Sequence, residues 1–583
     1  MRKQRHEASP SRKTGAAPGA APRPSLPRDV RRAPWWAALA AIALLTAFAA
    51  QAGIAARRDS VTIDEFVHLP VGYNAIRTGD VSQDPINPHL SRMIAALPLL
   101  WAPPRFDPDP RMVVWSLGYH LMEQNADRYH ELYQAPRWMI IGLSLVTAIV
   151  AAVWAWKLYD WRAALVTLAL FAFTPSMLAH GHLVTLDMAG TLGFVAALLA
   201  TWSLLARPTP ARAALLGATL GIANLMKLSA FVLTAIVLVL VVVRAVRERD
   251  VTPRRWAMLL LVVAASALFT LNAGYGFEGT FSPIGRARLD PGGTLGGIAA
   301  SMSGLRLPFP RAFLEGVDMI LEVGKNREPS YFLAGELSAE GWWYYHLAAF
   351  AAKCPIPVLL SSLLAIVVWA ARRSTGRRDY CVFVPVLLLF AANSAFNSLY
   401  IGERHVLPAY PLLMIGASPW IASALSAWRA GRSWLDRVLP IAAALLLIWT
   451  AAGTLLVGPR YLQYFNEAAG GAERGHRMLI DSNIDWGQDL IRLREYMETS
   501  GTQSVALAYF GRVDPRVYGV RYTPLEPGRS RGKVAVSATF LMGRPYFWIL
   551  GGRQRWVPAN TYSYLQGMTP VARAGSMFVF DVK

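Results

Sequence analysis

The sequence predicts a polytopic α-helical membrane protein with a small α+β domain at its C-terminus, and three observations carry that reading. Of 583 residues, 54% are hydrophobic and only 16% charged, a balance that a water-soluble globule of this size does not show. Apolar runs recur from Trp35 to Val457, each near the roughly 20 residues a helix needs to cross a hydrocarbon core about 30 Å thick. After Gly458 these runs give way to polar segments with strand-like stretches. The net charge of +21 lies in short Arg/Lys clusters between apolar runs rather than along one polar face, so it reports membrane topology and gives no nucleic-acid surface. Both cysteines, Cys354 and Cys381, fall within apolar runs, which makes a disulfide framework or a Cys-based metal site implausible.

About eleven spans are expected, near 35–55, 138–156, 163–179, 184–206, 213–226, 229–243, 256–274, 346–370, 381–399, 406–427 and 438–457. The stretch 213–243 is split because at about 1.5 Å per residue one continuous helix would far exceed the bilayer thickness. With a turn around Asn224 to Ser229, the Arg-rich loop 244–255 falls on the side of the N-terminus.

Orientation follows from retention of Lys and Arg in the cytoplasm. The tail ending in Arg28, Arg31 and Arg32, the Lys157/Arg162 and Arg207/Arg212 turns, the 244–255 loop, and the Arg372–Arg378 and Arg429–Arg437 loops all come out cytoplasmic. Segments 56–137, 180–183, the Lys227 turn, 275–345, 400–405 and the chain from Gly458 then lie outside. Residues 1–33 are rich in Ala, Pro, Ser and Arg, cannot bury enough surface to fold, and are expected to be a disordered cytoplasmic tail. Ala50-Gln51-Ala52 has the spacing of a signal-peptide cleavage site, but the apolar run before it is long for that role. The domains are thus 1–33, a transmembrane body 34–457 with external loops 56–137 and 275–345, and an external α+β domain 458–583. In the last, a helix from about Trp486 to Thr499 and strands at 503–510, 533–540 and 576–582 are expected.

The first external loop is the densest in chemistry: Asp64-Glu65-Phe66-Val67-His68, then Gly79-Asp80, then Asn87-Pro88-His89-Leu90-Ser91-Arg92. On a helix starting there Glu65 and His68 share a face, leaving one carboxylate for a cavity and the other for the local fold. Equally, both acids can simply complement the dipole of a helix first turn. Lys227 and Lys353, within or beside apolar spans, are functional candidates by the cost of burying charge, with snorkelling to the interface as the plain alternative. His180, His182 and Asp187 lie close together but have no recognised metal-ligand spacing. Trp342 and Trp343 fit an interfacial anchor or, alternatively, a lid over a lipid-facing site.

This ordered set resembles the GT-C class of membrane glycosyltransferases, in particular the family 39, protein-mannosyltransferase-like branch that uses polyprenyl-phosphate sugars. The resemblance covers about residues 35–495. It rests on the Asp64-Glu65 pair, Gly79-Asp80, Asn87-Pro88-His89-Leu90, Thr185-Leu186-Asp187, Gly402-Glu403-Arg404-His405-Val406-Leu407-Pro408, Tyr464-Phe465-Asn466-Glu467 and Asp481-Ser482-Asn483-Ile484-Asp485-Trp486-Gly487-Gln488-Asp489-Leu490. The last two look like a bacterial subgroup signature. Two positions depart from the family pattern: Pro88-His89-Leu90 stands where His-Pro-Pro-Leu is common, and His405 where Tyr is usual.

The resemblance implies a GT-C-like transmembrane catalytic domain in a bacterial inner membrane, with the C-terminus periplasmic. Its implied reaction is inverting transfer of a monosaccharide from a polyprenyl-phosphate donor to an acceptor hydroxyl on a protein, glycolipid or polymer. Asp64 inherits the role of general base, with Glu65 and Asp187 in support; Asp187 is alternatively the cap of its span. His89, Arg92, Lys227, Lys353 and Arg404 are the candidates for the donor phosphate. Asp485, Trp486 and Gln488 are candidates for acceptor binding, or else form a capped helix start with Asp485 at the cap. Oligosaccharide transferases of the class use a divalent cation, whereas the protein-mannosyltransferase-like branch implies no metal or other cofactor. Independently of any family, no Gly-rich phosphate cradle or nucleotide-binding domain occurs on the cytoplasmic side, so an external site must take a donor delivered across the membrane. The rival from another class is a lipid-linked substrate transporter or flippase; it calls for paired broken helices, of which only the break at 224–229 is evident.

Overall fold

The computed structural model describes residues 33–109, 111–323, 330–371, 377–396, 399–427, 433–528, 530–550 and 553–583. Residues 1–32 of the expected tail 1–33, 372–376 of the Arg372–Arg378 loop and 429–432 of the Arg429–Arg437 loop lie outside them. Among the described residues seven helices are long and apolar enough to cross a membrane: Trp35–Arg58, Tyr129–Leu158, Asp187–Ala206, Leu228–Glu248, Pro253–Gly274, Asp379–Phe396 and Leu435–Val457. Large apolar side chains on them face outward, among them Leu39, Val242, Leu261, Phe269, Leu445 and Leu456, as helices bathed in hydrocarbon require. The chain is a multi-pass membrane protein.

The other four expected spans are shorter, interrupted or more polar, and the interruptions have a local cause. The run 163–179 is two helices, Trp161–Ala172 and Pro175–His180, and 346–370 is Tyr345–Lys353 followed by Ile356–Ala371. Each break falls at a residue before proline: Thr174 has φ −109°, ψ 116° and Cys354 has φ −74°, ψ 130°. The ring of the following proline disfavours the α conformation at the preceding residue. Pro210–Met226 and Ala409–Ser426 complete the set. The split within 213–243 is real: the chain turns at Lys227 (φ −152°, ψ 125°) between Pro210–Met226 and Phe231–Glu248.

Two sets of contacts join the loops. In one, Arg255 donates to the Pro208 carbonyl, Arg212 to that of Ser203 and Arg244 to that of Leu205. In the other, the loop at 59–63, the 400–405 loop, the Lys227 turn and the C-terminal region meet around the cavity described below.

The C-terminal region carries a five-stranded mixed sheet in the order Tyr522–Pro524, Val505–Ala508, Gly532–Ser537, Met577–Val582, Ala572–Ala574. The first three strands are parallel to one another, and the last two pairings are antiparallel, with Val534 opposite Phe580. A separate hairpin pairs Tyr546–Leu550 with Arg553–Val557. The helix spans Leu490–Ser500 rather than starting at Trp486, and Asp489, not Asp485, occupies its N-terminal cap position.

Candidate active site

The first loop builds one side of the site. The helix Ile63–Thr78 starts at Thr62, whose hydroxyl accepts from Glu65 N while the Glu65 carboxylate accepts from Thr62 N at 3.0 Å. This reciprocal cap satisfies amide groups that the first turn would otherwise leave unpaired. It also turns the two adjacent acids in opposite directions.

Glu65 is fully buried, and Arg137 binds it through Nε at 2.8 Å and an Nη at 2.7 Å. The remaining Arg137 donors go to the carbonyls of Ala56, Asp59 and Ser60, and Val184 N donates to Glu65 at 3.0 Å. Burial alone would raise the Glu65 carboxyl, but Arg137 and these hydrogen bonds hold it below its ordinary value. Glu65 is therefore a tie between the loop and the membrane body.

Asp64, with 23% of its side chain exposed, lines a cavity of about 350 Å³. Its neighbour on the same face is His68, Nε2 to Oδ2 3.9 Å; the pairing is i, i+4 from Asp64 rather than i, i+3 from Glu65, because the cap and Arg137 hold Glu65 on the other side. Burial, with Arg92 and Arg404 nearby, pushes the His68 imidazole below its ordinary value despite Asp64.

Three more elements converge on the cavity. Arg404, from the 400–405 loop, donates to Asp64 at 2.5 Å and lies 3.8 Å from Asp187. Asp187, at the first turn of its helix, accepts from Lys227 at 2.6 Å, and its other oxygen has no hydrogen-bond partner among the described residues. Lys227 reaches it because Gly190 leaves room for the lysine stem: a Cβ there would lie 2.8 Å from Lys227 Cδ. Two acids and two bases thus alternate, with a guanidinium between the carboxylates. His405 also lines the cavity, and burial with the nearby cations holds it well below its ordinary value; for His180 the same causes bring it to about 3.

Much of the remaining lining is apolar, with Phe194, Phe231, Val232, Leu389 and Phe396. Such a site suits a ligand with an anionic head and a hydrocarbon tail. Among the described residues no three His, Cys, Asp or Glu side chains group as a metal site.

The remaining candidates sit elsewhere. His89 donates through Nε2 to the Gly274 carbonyl at 2.9 Å, tying the first loop to the end of the helix Pro253–Gly274. Arg92 is buried against Asp84 at 2.7 Å and the Asn87 carbonyl, rigidifying the turn before it. The Lys353 ammonium donates to the carbonyls of Leu462 and Asn483 at 2.8 and 2.7 Å, so it neither snorkels nor lines the cavity. Asp485 accepts from Thr539 N at 3.1 Å and the Ser576 hydroxyl at 3.2 Å inside the C-terminal region. The Gln488 side chain bonds Trp486 N, the Ile484 carbonyl and Asp489. Trp486 is 2% exposed, with the Arg404 guanidinium 4.5 Å from its ring centroid. Sequence reading passed over Arg137, Gly190 and Trp115, which also lines the cavity; the Thr62-x-x-Glu65 capping pattern was the legible sign that Glu65 is structural.

No family model and no curated protein matches the chain. Among solved structures it is similar to ArnT from Cupriavidus metallidurans bound to undecaprenyl phosphate, with 14% identity and a TM-score of 0.47 over 93% of this chain and 97% of that one. The apo state of that protein gives 14% and 0.46 over 93% and 98%. The Archaeoglobus fulgidus oligosaccharyltransferase in its apo form gives 12% and 0.46 over 90% and 74%. Likenesses this distant carry no assignment of activity, which rests on the cavity itself.

Proposed function

We propose that the protein is a membrane glycosyltransferase that moves a monosaccharide from a polyprenyl-phosphate donor to an acceptor hydroxyl at the external face of the inner membrane, with inversion. The carrying observation is the cavity: one accessible carboxylate, Asp64, beside two cations, Lys227 and Arg404, in a pocket whose remaining lining is largely apolar.

The polyprenyl tail lies along Phe194 and Phe396, and the phosphate meets Lys227 and Arg404. Before the donor enters, Arg404 is held by Asp64. A phosphate that draws the guanidinium toward itself leaves the Asp64 carboxylate free to accept the hydroxyl proton. The acceptor oxygen then attacks the anomeric carbon from the face opposite the phosphate as the carbon–oxygen bond breaks. The charge that develops on the departing phosphate is stabilised by the two cations, and Asp187 keeps Lys227 placed for this. The sequence resemblance to the GT-C class supports the same roles for Asp64 and Asp187.

The test is transfer of labelled sugar from a panel of polyprenyl-phosphate monosaccharides to membrane extract, with wild type and Asp64→Asn in liposomes. Transfer that the variant loses supports the reading. A flippase is the second reading, favoured by the helix breaks at Thr174 and Cys354 that join the one at Lys227. Lipid translocation without transfer, unchanged in Asp64→Asn, would establish it instead.

A further inference from the structure

The segment 481–489 grips both halves of the Asp64–Arg404 pair. On one side, the Trp486 carbonyl accepts from Ile63 N at 3.0 Å, the residue before Asp64, and the Ser60 hydroxyl donates to the Gly487 carbonyl at 2.9 Å. On the other, the Asn483 side-chain oxygen accepts from Glu403 N at 3.0 Å, the residue before Arg404, and the Ser482 hydroxyl donates to the Ile401 carbonyl at 2.7 Å. Gly487 makes the sharp turn between these contacts, with φ 86° and a would-be Cβ 2.7 Å from the Tyr509 hydroxyl.

At the centre stands the Trp486 ring. The Arg404 guanidinium lies over it at 4.5 Å, and the His180 ring meets it edge-on at 6.1 Å. With 2% exposure it has no face left for a sugar, so the acceptor-stacking role suggested by its sequence context does not fit. Arg404 Nε has no hydrogen-bond partner among the described residues, so the aromatic face does much to orient the guanidinium plane.

We propose that Trp486 is a positioning residue for Arg404, through which the C-terminal domain completes the cavity; its catalytic consequence rests on the phosphate role assigned to Arg404 above. A guanidinium held over the indole can pass from Asp64 to an incoming phosphate without first being ordered. A desolvated cation–π contact of this kind is worth a factor of roughly 30 in population.

The experiment compares full-length wild type, Trp486→Phe and Trp486→Leu. Phenylglyoxal modification of Arg404 is followed by mass spectrometry, with Arg492, buried between Asp59 and Asp489, as the internal reference for docking of the C-terminal region. Arg404 should react about 10-fold faster in Trp486→Leu and near the wild-type rate in Trp486→Phe, which keeps an aromatic face, while Arg492 is unchanged. Unchanged Arg404 reactivity overturns the proposal. A parallel rise at Arg492 overturns it too, since Trp486 is then only a packing clamp. In the transfer assay Trp486→Leu should raise KM for the lipid donor at least 10-fold, with rescue by Trp486→Phe. If Arg404 labelling responds as expected but wild type transfers no sugar, the positioning stands and the glycosyltransferase reading fails.

Discussion

Replacing Asp64 and Glu65 one at a time should give opposite phenotypes, although the two acids are neighbours in the chain. In Glu65→Gln the Arg137 guanidinium keeps its bonds to the carbonyls of Ala56, Asp59 and Ser60 but loses its counter-charge in a fully buried site. Leaving one member of such a pair uncompensated costs about 3–5 kcal/mol. Unfolding entropy of about 2 cal/mol/K per residue, over the 583 residues, amounts to about 1.2 kcal/mol/K, so the midpoint should fall by about 3 °C if the chain unfolds as one unit and by more if part of it unfolds separately. Asp64→Asn removes a partly exposed contact and should shift the midpoint by less than about 1 °C, while lowering kcat by about 10²–10⁴ through loss of the general base. Thermal unfolding in detergent, followed by intrinsic fluorescence, and the liposome transfer assay read the two effects. Loss of turnover without loss of stability in Glu65→Gln would refute the assignment and make Glu65 the reacting carboxylate.

Other consequences concern charge and space around the site. Gly190→Val should displace the Lys227 stem and reduce turnover about as far as Lys227→Ala, roughly 10²-fold; near-wild-type turnover would show that Lys227 does not act from this position. Arg404→Lys keeps the charge but not the planar guanidinium that lies over Trp486 and turns one Nη toward both Asp64 and Asp187, and should weaken binding of undecaprenyl phosphate in a competition assay about 10-fold. Burial, reinforced by Asp489, raises the Asp485 carboxyl to about 7, so the folded state takes up a proton that the unfolded state, titrating near 4, does not. Its contribution is favourable below about pH 4 and is lost as pH rises to about 7, on the order of 4 kcal/mol in all. Asp485→Asn should therefore match wild type at pH 4 and melt higher at pH 8; a wild-type advantage that grows with pH would contradict the sign.

Helix positions were legible because a bilayer imposes a local requirement: enough consecutive apolar residues, with every backbone group paired inside its own helix. Trp35–Arg58 and Pro253–Gly274 lie within a few residues of the expected spans. The breaks at Thr174 and Cys354 were written in Pro175 and Pro355 yet passed unnoticed, because the apolar runs continue through them. Strands of three residues such as Tyr522–Pro524 and Ala572–Ala574 were missed for a different reason, being too short to show alternation.

The site divides along the same line. The family resemblance pointed to Asp64, Asp187 and Arg404, and the cost of burying charge pointed to Lys227; all four line the cavity. Which of two adjacent acids faces it was decided by Arg137, 72 residues beyond Glu65. His89, Arg92 and Lys353 were drawn away by partners that only packing supplies: the Gly274 carbonyl, Asp84, and the carbonyls of Leu462 and Asn483. Trp486 became a platform for Arg404 because the C-terminal region folds back onto loops hundreds of residues earlier. Membrane-spanning segments are specified by short-range composition, whereas the cavity depends on ion pairs such as Asp64–Arg404, 340 residues apart, whose geometry exists only once the helices have packed.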